Sequence, residues 1–72
     1  MDKDTQKIGE EASVDAFALE MKKKLDRHRD MNRHSWTYAR YEDLREALTE
    51  AYLDGDWVSV ANYAMMLNEK NA

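Results

Sequence analysis

Apolar residues along the chain recur mostly with helical spacing. Val14, Phe17, Ala18, Met21 and Leu25 fall at offsets of 0, 3, 4, 7 and 11, which sets them on one stripe of a helix. The stripe predicts a first helix over about residues 13–30, with Ser13 as its N-cap. Residues 1–10 are polar and show no sustained period, and are expected to form a flexible tail ahead of one helical domain over 11–72. Residues 31–39 also lack a period. They read as a loop from which Trp36 and Tyr38 fold back onto the core.

A second helix is expected over about 40–53. Tyr41, Leu44, Leu48 and Tyr52 form its apolar line, flanked by Ala47 and Ala51, while Glu42, Glu46 and Glu50 form an acidic one. Gly55 supplies the left-handed residue that ends a helix, and Asp56 a cap for the next. The third helix, about 56–69, carries apolar residues most of the way round. That pattern marks it as the expected self-association surface, through Trp57, Val60, Ala61, Ala64, Met65 and Leu67. The expected architecture is an all-α, three-helix domain that associates as a helical-bundle homodimer.

Composition supports this. The chain has 72 residues, no proline, no cysteine and two glycines. A domain so short buries a small fraction of its surface, and without cysteine neither disulfides nor thiolate metal sites can reinforce it. Association is the remaining common device. No apolar run approaches a membrane span, and the N-terminus lacks the form of a signal peptide, so the expected location is the cytoplasm. The net charge of −4 argues against broad nucleic-acid affinity.

Three groups of residues invite a chemical reading. Carboxylates at i and i+4 such as Glu46 and Glu50, joined by Asp56, are of the hard-oxygen type that Mg²⁺ takes; the plainer reading is a solvated acidic face paired with Arg40 or Arg45. Lys22, Lys23, Lys24, Arg27, Arg29 and Arg33, followed by Trp36 and Tyr38, combine cations with aromatics as nucleic-acid binding requires. These cations spread around the helix, however, and Asp26 and Asp30 interrupt them. His28 and His34 are six apart, a spacing that does not pair them on one helix face. No nucleophile triad or glycine-rich phosphate loop is visible.

Taken in order, Lys24-Leu25, Ser35-Trp36, the leucines of the second helix, Gly55-Asp56 and the run Val60-Ala61-Asn62-Tyr63-Ala64-Met65-Met66-Leu67 resemble small phage-encoded proteins related to the all-α MazG-type nucleoside triphosphate pyrophosphohydrolases. The resemblance covers about residues 17–68. It implies a helical dimer or tetramer in which E-x-x-E and E-x-x-D carboxylates hold Mg²⁺. This chain departs from both patterns: Thr49 stands three residues after Glu46, and Ser59 three after Asp56.

The expectation is therefore a scaffold without catalytic residues. It is a non-enzymatic phage- or prophage-type protein that needs no cofactor and acts by protein–protein interaction, with a host factor in the host cytoplasm as the expected partner. Lys24, Arg33 and Trp36 are its candidate ligand or partner contacts. One alternative is a reduced pyrophosphohydrolase with Mg²⁺ on Glu46, Glu50 and Asp56. The other is nucleic-acid binding through residues 22–36.

Overall fold

The computed structural model describes residues 2–30 and 35–71. It is all-helical: α1 spans Lys3–Asp30, a short 3-10 turn spans Trp36–Tyr38, α2 spans Tyr41–Leu53 and α3 spans Trp57–Asn71. The expected bounds of α2 and α3 lie within two residues of these.

The start of α1 needs correction. The helix begins at Lys3, ten residues before the expected Ser13, so residues 3–10 are helical where a tail was expected. The cause is local. Asp2 caps the helix, its Oδ1 accepting from the Thr5 amide at 2.7 Å. Gln6 then donates to Glu10 at 3.0 Å, and Lys7 lies 3.9 Å from Glu11, both at i,i+4 spacing. None of these devices is apolar, so a search for an apolar period passes over them. At 1.5 Å per residue α1 is about 42 Å long, and it sets the 44 Å length of the molecule.

α3 is the middle of the fold. Both α1 and α2 pack against it, and their own backbones do not approach each other. The apolar girdle of α3 thus has a use within one chain, because two neighbours cover two sides of it. α2 and α3 run antiparallel, with Asn71 Nδ2 donating to the Tyr41 hydroxyl at 3.3 Å at the open end. Lys70 donates to the Thr37 carbonyl at 3.0 Å and so ties the 3-10 turn to the end of α3.

The core is thin. Its buried apolar side chains are Leu44, Ala51 and Met66, and they share the interior with Ser59 and Asn62. Tyr38 does not fold back as expected. It is 83% exposed, whereas Trp36 is half-buried.

The turn between α2 and α3 closes with two bonds, from the Gly55 amide to the Tyr52 carbonyl and from the Asp56 amide to the Ala51 carbonyl. This is the Schellman pattern, and it requires a left-handed residue at Gly55, whose φ is +71°. A Cβ there meets no atom within 4 Å, so strain in φ is the whole cost. Gly55→Ala is expected to destabilise the fold by about 1–2 kcal/mol, seen as a lower melting temperature by circular dichroism. An unchanged value would contradict this account of the turn.

Asn62 raises a second test. Its Nδ2 donates to the Met21 carbonyl at 3.3 Å, but its buried Oδ1 has no partner. A buried acceptor left unpaired costs about 1–3 kcal/mol. Asn62→Leu is expected to raise the urea midpoint, and a lower midpoint would show that the Met21 contact outweighs the orphaned oxygen.

Candidate functional site

Among the described residues, Asp56 has the most side-chain hydrogen bonds. Its Oδ1 accepts from the Ser59 amide at 3.2 Å and its Oδ2 from the Ser59 hydroxyl at 2.7 Å, so it caps α3. The same Oδ2 accepts from Lys24 Nζ of α1. The Lys24 hydrogen bond, followed by those from Ser59, lowers the Asp56 pKa from the ordinary 3.8 to about 2.

The metal candidates separate here. Glu46 and Glu50 are exposed on α2, while both oxygens of Asp56 are engaged by Lys24 and Ser59. Among the described residues, no three carboxylates or histidines gather where they could hold a metal ion. Ser59, which stands where the resemblance calls for Asp, is one of the two buried polar residues of α3. A carboxylate in its place would donate no hydroxyl hydrogen bond and would set a like charge beside Asp56. Thr49, at the other departure, donates to the Arg45 carbonyl at 3.0 Å.

Three cations of the basic segment are paired with carboxylates. Lys24 is committed to Asp56, Arg29 pairs with Asp26 at 2.7 Å, and Lys23 lies 3.4 Å from Glu20. Arg33 and His34 lie outside the described residues. Arg40 does not pair with the glutamate line; it grips Asp43 through two contacts of 3.2 Å.

Two surface features remain. The first is a cleft of about 440 Å³, lined by Leu25, His28 and Arg29 of α1, Ser35 and Trp36 at the 3-10 turn, Leu44 of α2, and Tyr63 and Met66 of α3. Trp36, a predicted contact residue, is therefore part of a concavity. Lys24, another, belongs to the Asp56 junction.

The second feature is an apolar corner at the α2–α3 turn. Tyr52 and Trp57 meet edge to face, their ring centroids 5.7 Å apart and their planes at 77°. Both remain more than half exposed, and Leu53 beside them is 75% exposed. Of the six predicted interface residues on α3, Trp57 and Ala64 are exposed, while Val60, Ala61, Met65 and Leu67 are half-buried. Sequence reasoning missed Tyr52 as a surface residue because it placed it on the apolar line of α2, and it gave Leu53, which lies off that line, no role. The available signal was their position, since residues next to a chain reversal lie at the end of a bundle. No helix among the described residues is long and apolar enough to cross a membrane.

The Asp56 junction makes a pH prediction. Its folded pKa is depressed, so its contribution to stability is complete above the ordinary carboxylate range and is lost as pH falls through 3.8 toward about 2. Asp56→Asn keeps a competent cap but loses the charge pairing with Lys24. The variant is expected to unfold at lower urea than wild type at pH 7, and the gap should close toward pH 2. A gap constant across that range would refute the assignment.

Comparison of the chain with protein-family models, with curated proteins and with solved structures found no match.

Proposed function

We propose that this chain is a non-enzymatic helical interaction protein that works as a homodimer and binds a protein partner through the corner formed by Tyr52, Leu53 and Trp57. The carrying observation is the paired, exposed aromatic rings of Tyr52 and Trp57 on a turn fixed by two hydrogen bonds. Tyrosine and tryptophan are the residue types that most often dominate binding energy, and preorganised rings lose little entropy when a partner covers them. A three-helix unit with three buried apolar side chains among its described residues gains stability from anything that covers more apolar surface.

Charge narrows the partner. Glu50 and Asp54 flank the corner in sequence and are exposed, and the chain is acidic overall. A matching protein surface offers an apolar pocket with a basic rim. For a phage-type protein, that partner is a host factor.

Trp57→Ser tests the reading because the side chain is exposed and its loss leaves the core intact. Affinity purification from lysate, followed by titration of the captured protein, is expected to show binding weakened about tenfold or more by the variant. Equal binding by both proteins would remove the corner from the function. A parallel incubation with nucleoside triphosphates and Mg²⁺ is expected to release no pyrophosphate; release would restore the hydrolase alternative.

A further inference from the structure

Residues from Lys3 to Phe17 form more than half of α1, and each of them is exposed. A helix of about 15 residues is marginal in water when nothing packs on it. This half therefore gains from a neighbour, and its charges specify which one.

α1 is divided by charge. Between Asp2 and Asp15, five carboxylates face two lysines, and between Glu20 and Asp30, five cations face three carboxylates. The midpoint of Lys3–Asp30 falls between Ala16 and Phe17. Turning a second α1 end for end about that point sets Lys3 level with Asp30, Asp4 with Arg29, Lys7 with Asp26, Glu10 with Lys23 and Glu11 with Lys22. Wherever both level positions are charged, their signs are opposite. A parallel pair would set every charge level with its own copy.

Asp4, Glu11, Lys22 and Arg29 also share one line along the helix. They are separated by 7, 11 and 7 residues, close to whole turns of 3.6. All four are exposed. The line lies roughly a quarter turn from the side of Met21, Lys24 and Leu25 that is half-buried toward α3. Beside the midpoint, half-buried Ala18 and exposed Asp15 lie within about 30° of the line on either side.

We propose that α1 is the homodimer surface, pairing antiparallel with α1 of a second copy so that Asp4 faces Arg29 and Glu11 faces Lys22 across a two-fold axis. The proposal rests on the homodimer reading above and names its surface. The contact is isologous, so each charge pair occurs twice. Charge sets the orientation and register. Arg29 and Glu11 exchange local partners, Asp26 and Lys7, for partners on the second chain.

Charge reversal tests it. Glu11→Lys and Lys22→Glu are both exposed changes, and circular dichroism is expected to show the helix content of each intact. In sedimentation at low salt, wild type is expected to dimerise at micromolar concentration, and each variant alone to do so about tenfold more weakly. An equimolar mixture of the two variants restores opposite charges at both Glu11–Lys22 contacts and is expected to form a heterodimer of wild-type strength. A monomeric wild type would overturn the homodimer itself. A dimer that neither variant weakens, or a mixture that fails to recover, would leave the homodimer standing and overturn its seat on α1.

Discussion

Three helices of this protein meet at one carboxylate. The amide of Asp56 closes the end of α2, its side chain caps α3, and the same side chain holds Lys24 of α1. Each role has a different physical basis. The first satisfies an orphan carbonyl, the second an orphan amide, and the third matches charge across two elements. A residue without a carboxylate could fill one or two of these roles but not all three. The depressed pKa reflects this, since the hydrogen bonds from Lys24 and Ser59 all favour the charged form.

The two seams on α3 differ in chemistry. Toward α2 it meets the buried apolar side chains Leu44 and Ala51, and the short turn and the contacts at Tyr41 and Asn71 fix the register. Toward α1 the specific contacts are polar: Lys24 with Asp56, and Asn62 with the Met21 carbonyl. Apolar burial is non-directional and supplies most of the folding free energy, whereas polar contacts chiefly fix geometry. The α2–α3 hairpin is thus the stable part of the fold, and α1 is positioned on it.

The same distinction explains what could be read from the sequence. The apolar lines of α2 and α3, Gly55 as the reversal and Asp56 as the cap were all legible, because period and turn chemistry act locally. The first ten residues of α1 were not, because a cap at Asp2 and i,i+4 pairs hold them without an apolar period. Lys24–Asp56 was not legible either, since its partners are 32 residues apart and nothing local joins them. Ser59 could be seen as a departure from a metal-binding pattern, but its own task as the buried donor to Asp56 emerged only with the fold. Tyr52 continued the apolar line of α2 in sequence and reached the surface because the helix ends there, whereas Leu53 lies off that line.

These differences locate the surfaces that remain for function. A protein with a large core can leave polar faces to solvent and still be stable. In this one the backbones of α1 and α2 approach α3 and not each other, and each helix keeps apolar residues on the outside. Among the exposed apolar groups, Tyr52, Leu53 and Trp57 gather at the α2–α3 turn, and Ile8, Val14 and Phe17 lie along the unsupported half of α1. The turn is rigid and offers preorganised rings, which suits recognition of a different protein. The helix is long, charged and nearly its own electrostatic complement when reversed, which suits a second copy of itself. Two separate surfaces allow a dimer to present two recognition corners, and binding at two points raises avidity without any new contact.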